Sequence, residues 1–416
     1  MAKPIPHLKS SIFSRETILC LSGFAATIIL CSPWICTTTS SVPWPPISSV
    51  SSPEKTFYDD PQTRYTMDKP MTNWDEKRSH WLQINPNFAS QNRVMVVTGS
   101  QPGPCKNPAG DHLLLRFFKN KVDYCRIHGW EIFYNNAFLD PEMKSVWAKV
   151  PIIRAAMLAR PDVEWLFWVD SDAIFTDMDF EIPFDKYKDH NVVIHGWPDM
   201  IYKEKSWVSV NTGAVLIRNC QWSMDFLDVW AGMSPRSPNY AEWGRILSST
   251  LTDKKSPRPD EQSAFVYLLL KGDRKWTDRI YVENEYSLHG YWLGIVGKFE
   301  RIAAKYSEIE RRVKGLRRRH AEVDGGGRRA EMWRHAAGGG EGPEGWRRPF
   351  VTHFTGCQPC SGDHSPDYKG DSCWVGMERA LNFADNQVLR NYGFMRPDLK
   401  NGSRLRPVPF DYPVKI

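Results

Sequence analysis

Apolar positions along the chain gather into short runs, separated by polar breaks that carry glycine or proline. Val94–Val97 (VMVV) runs into Thr98-Gly99-Ser100, the pattern of a buried strand closed by a turn. Asp111 heads a stretch of helical character reaching about His128, with Gly129 behind it. Asp111 is therefore expected to cap a helix that the glycine ends. Glu131–Tyr134 (EIFY) reads as a second strand, and Glu142–Arg160 as a helix interrupted at Pro151 and closed by Pro161. Glu164–Val169 (EWLFWV), Asn191–Ile194 and Ala214–Ile217 read as further strands, and Gln221–Met233 as a further helix. Strands alternating with helices predict an α/β fold with a mostly parallel sheet covered on both faces. In such sheets ligands collect beyond the carboxyl ends of the strands.

Two stretches depart from this pattern. Thr17–Cys36 is uncharged, and about 20 such residues suffice to cross a bilayer as a helix. Lys3, Lys9 and Arg15 precede it, which places the N-terminus in the cytosol. A cleaved signal peptide is the competing reading, but its apolar centre runs to only about 7–15 residues. An uncleaved anchor is favoured. The Ser-, Thr- and Pro-rich residues after it form a stem. The expected organisation is a cytosolic tail (1–16), a single transmembrane anchor (17–36), a stem and domain edge (37–90), and one globular domain (91–416). Within that domain, residues 312–348 carry two glycine triplets and many arginines. This segment reads as a basic helix tip passing into a flexible surface loop.

Composition narrows the function. At 416 residues, 41% apolar and 25% charged, most of the chain is globular, and its net charge is only +6. The excess arginine sits in one segment with few aromatics, so nucleic acid is not an expected partner. Six cysteines lie outside the apolar segment: Cys105, Cys125, Cys220, Cys357, Cys360 and Cys373. An oxidising lumen would join them in up to three disulfides, with the pairing open. Zinc is an alternative through Cys357, Cys360, His364 and Cys373, although a second CxxC or an HxxxH is missing. Asn401-Gly-Ser403 is a glycosylation sequon that fits the same compartment.

The sharpest chemical feature is LFWVDSDA, Leu166–Ala173. Asp170 and Asp172 are two apart at the end of an apolar strand, so both carboxylates project to one side. Such a pair suits a hard divalent cation that keeps positions open for a phosphate. Solvated loop carboxylates are the bland alternative, and the buried strand weighs against it. A phosphohydrolase would continue DxDx[TV], but Ile174 occupies the last position. A nucleotide-sugar glycosyltransferase would use the pair to hold a cation on the donor diphosphate.

Longer motifs carry a resemblance. FWVDSDAIFTDM, HGW, SWVSVNTGAVLIRNCQWSMD, DEQSAF, RRPFVTHFTGCQPCSG and MERALNFADNQVLRNYGF together resemble glycosyltransferase family 34. These are plant Golgi enzymes that add galactose or xylose to cell-wall polysaccharides. The likeness runs from about Asn92 to the C-terminus, apart from the Gly/Arg-rich segment. It implies the GT-A fold, a Rossmann-like nucleotide-sugar-binding domain, on a type II Golgi anchor. It further implies that Asp170, Asp172 and His353 hold Mn²⁺ on the diphosphate of a UDP-sugar. Alone, His353 would pass as an ordinary histidine beside a buried strand. By the same resemblance, Thr98, Gly99 and Ser100 meet the uridine, and Asn211, Thr212 and Gly213 meet the donor sugar. Asp260, Glu261 and Gln262 lie by the reacting sugar carbon, where the family usually reads DDQS, so Glu261 replaces an aspartate.

The family retains anomeric configuration, either through a covalent carboxylate intermediate or by attack on the face the phosphate leaves, the latter being favoured. HFTGCQPCSG, DSCW and PVPFDYP resemble the galactosyl branch, which adds α-1,6-galactose to mannan. SVNTGAVL leans towards the xylosyl branch. The implied partners are a UDP-sugar, a polysaccharide acceptor, and other copies or other transferases in an oligomer. A non-catalytic partner subunit is the remaining alternative. Trp197, Trp207, Trp292 and Trp374 are candidates for stacking on sugars, with burial in the core as the bland reading.

Overall fold

The computed structural model describes residues 54–88, 93–316, 325–341, 344–410 and 412. The expected anchor at 17–36 lies outside these residues. Among the described residues no helix is long and apolar enough to cross a membrane.

The strands of the two larger sheets are β1 (Val94–Gly99), β2 (Glu131–Asn135), β3 (Trp165–Val169), β4 (Ala173–Phe175), β5 (Val192–Gly196), β6 (Val210–Arg218), β7 (Ile280–Glu283), β8 (Gly290–Tyr291) and β9 (Val351–His353). Six of them form the main sheet in the order β2-β1-β3-β6-β5-β7. Pairing is parallel for β1 with β2, β1 with β3, and β5 with β7. β6 runs against both of its neighbours. The expectation of a mostly parallel sheet thus needs one correction, and its cause is local. Residues 197–209 stay at the carboxyl edge in short helical turns. Without a helical crossover to carry the chain back, β6 returns antiparallel. β6 also begins at Val210 rather than Ala214, so Asn211–Gly213 is strand and not loop.

Alternation along β3 shows why its whole run is apolar. Trp165, Phe167 and Val169 enter a core that includes Tyr124, Phe175 and Phe350. Leu166 and Trp168 enter the opposite core with Trp147, Trp230 and Phe265. Both faces are covered, so no polar position is tolerated until the strand ends.

Two helix boundaries differ from expectation. The helix Gly110–His128 has Ala109 as its N-cap, and the Asp111 carboxylate instead accepts the Cys105 backbone N–H at 3.3 Å. Gly129 does end it, at φ +67°. The next helix spans Lys149–Ala159. Pro151 falls in its first turn, where a missing N–H costs nothing, so it starts the helix rather than interrupting it. Before 91, the chain already packs on the sheet: Trp74 is buried, and its Nε1–H donates to Asn219 Oδ1 at 2.7 Å.

The Gly/Arg-rich segment is more ordered than a flexible loop. Its described part forms the helix Gly325–Ala336, with Met332 and Ala336 in the core. Arg328 pairs with Asp179 at 3.1 Å, and Arg348 with Asp179 at 3.0 Å. The arginines find carboxylates just beyond β4, which sequence spacing did not reveal. Among the described residues two disulfides form, Cys105–Cys360 and Cys357–Cys373, while Cys125 and Cys220 stay reduced. The zinc alternative is thereby removed, because all three of its cysteines are oxidised.

Candidate active site

β4 pairs with β9 in a small second sheet, in a register that sets Ala173 opposite His353. Asp172 immediately precedes Ala173, so this pairing carries His353 to the aspartate pair from the far end of the chain. His353 Nε2 lies 3.1 Å from Asp172 Oδ1 and 3.8 Å from Asp170 Oδ2. One ligand atom from each of the three residues falls within 4.8 Å of the others. Two carboxylates and an imidazole make a donor set suited to a hard or borderline divalent cation. Close packing around the set explains Gly213. A Cβ there would stand 2.7 Å from His353 Nδ1 and 2.8 Å from Asp170 Oδ2.

Asp170 is fixed from several sides. Trp168 Nε1–H donates to its Oδ1 at 2.6 Å, and its backbone N–H donates to Gly213 O at 2.8 Å. Lys149 Nζ stands 3.4 Å from Oδ1. Burial pushes the Asp170 carboxyl up, but Lys149 and His353 outweigh it and hold it below its ordinary range. Burial likewise pulls the His353 imidazole down, and the charge and hydrogen bond of Asp172 overcome this and raise it.

Lys149 is the residue that sequence reasoning missed. It is fully buried, yet Asp170 and Glu261 raise its ammonium above the ordinary value against the pull of burial. It donates to Glu261 Oε1 at 2.8 Å and to Thr212 O at 3.0 Å. Thr212 Oγ1–H also donates to Glu261 Oε1, at 2.9 Å. One signal was available. KVPIIRAAMLA is apolar almost all round, which marks a buried helix, and a lysine heading a buried helix needs a buried partner. Lys121 is a second omission: it donates to Ala173 O at 2.8 Å beneath the aspartate turn, and burial pushes it down to about 7.

A cleft of 650 Å³ opens beside the pair, lined by Gly99, Ser100, Asn135, Lys149, Trp168, Asp170, Asp172 and Gln358 among others. Gly99 is required where β1 meets β2, since a Cβ would lie 3.2 Å from the Asn135 carbonyl carbon. Ser100 Oγ accepts the Tyr134 hydroxyl at 2.7 Å. Thr98 is buried beneath them, its hydroxyl unpartnered. Asn211 Oδ1 accepts the Gly213 N–H at 2.8 Å. A larger cleft of 830 Å³ between helices Gly110–His128 and Ser372–Leu389 contains none of the expected site residues.

A family model described as the galactosyl transferase GMA12/MNN10 family matches residues 90–364. The chain belongs to this family, glycosyltransferase family 34. It is 56% identical over 362 residues to "Putative glycosyltransferase 7" of Arabidopsis thaliana, covering 86% of this chain and 80% of that one. It is 54% identical over 376 residues to "Galactomannan galactosyltransferase 1" of Cyamopsis tetragonoloba, covering 89% and 84%. "Probable xyloglucan 6-xylosyltransferase 3" of Arabidopsis thaliana is 48% identical over 334 residues, covering 79% and 65%. Among solved structures, the galactosyltransferase LgtC with donor and acceptor sugar analogues is 10% identical at a TM-score of 0.32, covering 70% of this chain and 95% of that one.

In this glycosyltransferase the segment Asp260–Gln262 does not stand free. Asp260 is the N-cap of helix Glu261–Lys271: its Oδ1 accepts the Ser263 N–H at 2.7 Å and Trp207 Nε1–H at 3.0 Å, and Lys254 pairs with its Oδ2. Glu261 is buried, which raises its carboxyl against the opposing Lys149. Gln262 Nε2–H donates to Trp207 O at 3.0 Å. Of the four tryptophans singled out, Trp292 is core, Trp207 is tied to Asp260, Trp374 lines the larger cleft, and Trp197 is 41% exposed.

Proposed function

We propose that this glycosyltransferase moves galactose from UDP-galactose to a β-linked mannan backbone in α-1,6 linkage, with retention of configuration, at the Golgi membrane. The observation that carries the reading is the meeting of Asp170, Asp172 and His353, the two aspartates lining a cleft that Gly99 and Ser100 also line. A cleft of 650 Å³ has the volume for a nucleoside diphosphate, whose base would lie towards β1 and β2 and whose diphosphate would lie at the carboxylates. Asp170, Asp172 and His353 would hold Mn²⁺, which when bound offsets charge on the leaving diphosphate. Likeness to the Cyamopsis galactosyltransferase and the HFTGCQPCSG wording favour galactose. The 48% identity to a xyloglucan xylosyltransferase supports UDP-xylose as the second reading.

The chain's own residues support attack on the face the phosphate leaves. A covalent intermediate needs an unencumbered carboxylate at the sugar carbon. Asp260 is engaged as a helix cap and ion-pair partner, and Glu261 by Lys149 and Thr212. In our reading Lys149 and Glu261 are positioning residues that hold Asp170 and the strand segment Asn211–Gly213. Gln262 presents a side chain that can steady charge at the anomeric centre.

Full-length enzyme in detergent, given Mn²⁺ and mannan oligosaccharides, should add one hexose from UDP-galactose and lose this activity in Asp172→Asn. A pentose gained from UDP-xylose on a glucan acceptor, with no hexose gain, would replace galactose by xylose.

A further inference from the structure

The carboxyl edge of the main sheet continues past Asp170 on the side away from Gly99. β6 and then β5 follow β3 in that direction. With strands about 4.8 Å apart, the end of β5 lies about 10 Å from the aspartates along the edge. There the chain turns outward and exposes three apolar side chains: Trp197 at 41%, Tyr202 at 51% and Val208 at 47%. The charged residues between them cancel, Asp199 and Glu204 against Lys203 and Lys205, and Asp199 pairs with Lys203 at 3.0 Å.

Beneath Trp197 runs a row of buried imidazoles. His195 meets the Trp197 ring at 4.8 Å between centroids, His289 follows at 5.8 Å, and His353 at 4.9 Å from His289. His195 Nδ1, both ring nitrogens of His289 and His353 Nδ1 lack hydrogen-bond partners, as does the buried Ser209 hydroxyl. Ser209 is adjacent, since its carbonyl accepts the Trp197 N–H at 2.9 Å. Each unpaired buried polar atom costs about 1–3 kcal/mol. These atoms are enclosed, so the row joins Trp197 to His353 by packing and offers no hydrogen bond to a molecule on the surface.

An exposed indole, with Tyr202 exposed five residues further on, suits a pyranose ring, whose C–H face packs on the aromatic while its hydroxyls stay in water. We infer that Trp197, supported by Tyr202, forms an acceptor subsite that holds one sugar of a neutral polysaccharide backbone, across the metal ligands from the nucleotide cleft. The absence of net charge on this rim disfavours a polyanion. The identity of the backbone as mannan rests on the function proposed above.

The test uses the full-length enzyme with Trp197→Ala, Trp197→Phe and Tyr202→Ala. Trp197→Ala should raise the acceptor KM about tenfold, the equivalent of about 1.4 kcal/mol, while the KM for UDP-galactose stays within about twofold. Trp197→Phe should recover most of the loss, and Tyr202→Ala should show a smaller rise. An unchanged acceptor KM in Trp197→Ala overturns the subsite. So does a rise confined to the donor KM, which would assign the ring to the donor sugar. A shift of Trp197→Ala to a smaller oligomer also overturns it, making this face a subunit contact. Quenching of tryptophan fluorescence by mannan and glucan oligosaccharides, compared between wild type and Trp197→Phe, reads binding without turnover. A wild type that binds an oligosaccharide through Trp197 but transfers no galactose would refute the function and leave the subsite standing.

Discussion

Lys149 sits between two carboxylates, and its removal tests the site most directly. Lys149→Met leaves Asp170 and Glu261 facing one another with no cation between them. Breaking a buried pair in this way costs about 3–5 kcal/mol. A lower Tm and a loss of kcat/KM of roughly 100-fold are expected. Adding Glu261→Gln to Lys149→Met should return part of the Tm, because the stranded charge is gone; a double variant no more stable than the single would contradict the pairing. Gly213→Ala should keep the far-ultraviolet circular dichroism of the wild type and lose Mn²⁺-dependent transfer, since its methyl group intrudes between His353 and Asp170. His195 supplies a pH signature. Burial holds its imidazole down to about 4, against 6.5 when unperturbed. As pH falls the unfolded chain takes up this proton first. The contribution is therefore complete above about pH 6.5 and is lost between there and about pH 4, by about 3 kcal/mol. Denaturant titrations of His195→Asn should show a shallower loss across that window than the wild type, and parallel curves would count against it. Asp170 and Asp172 were legible from one short run because the strand aims them. Lys149 was not, because its partners lie in other elements and nothing within its own helix names them.

At the level of elements, β1, β2, β3, β5 and part of β6 were legible from apolar runs, and Gly129 marked a helix end. By contrast, β4, β7, β8 and β9 are too short or too mixed to stand out, and Pro151 reads as an interruption where it starts a helix. Strand direction was not legible either. β6 reads like any apolar strand, and only the compact path of residues 197–209 makes it run backwards. Nor does any local pattern announce that β9 pairs with β4, because their register depends on contacts across most of the chain. The family resemblance named His353, and the register explains it. The helix Gly325–Ala336 was misjudged because glycine and arginine together suggest a loose excursion, whereas its arginines have fixed acidic partners. Arg328→Ala should lower stability by about 2 kcal/mol, measured by thermal or urea unfolding. A wholly unchanged Tm would return the segment to the status of a surface loop.

Across the whole molecule, the two disulfides gather residues that sequence order scatters. Cys105–Cys360 joins positions 255 residues apart, and Cys357–Cys373 secures the same ridge at its other end. Cys357, Gln358 and Cys360 line the 650 Å³ cleft proposed for the nucleotide, so Cys105→Ser should raise the KM for the UDP-sugar more than that for the acceptor. The same wiring bears on the order of synthesis. A chain emerging N-terminus first presents β1 to β7 before Phe350 and the helix Ser372–Leu389, which share the core on one face of that sheet, have been made. At that stage it has both aspartates, but neither His353 nor Cys357–Ser361, which line the cleft. A polypeptide released early would therefore lack His353 and the covering of one sheet face, and one left unoxidised would lack the Cys105–Cys360 tie beside the cleft and bind the UDP-sugar more weakly. The group Asp170, Asp172 and His353 is whole only once the chain is nearly whole.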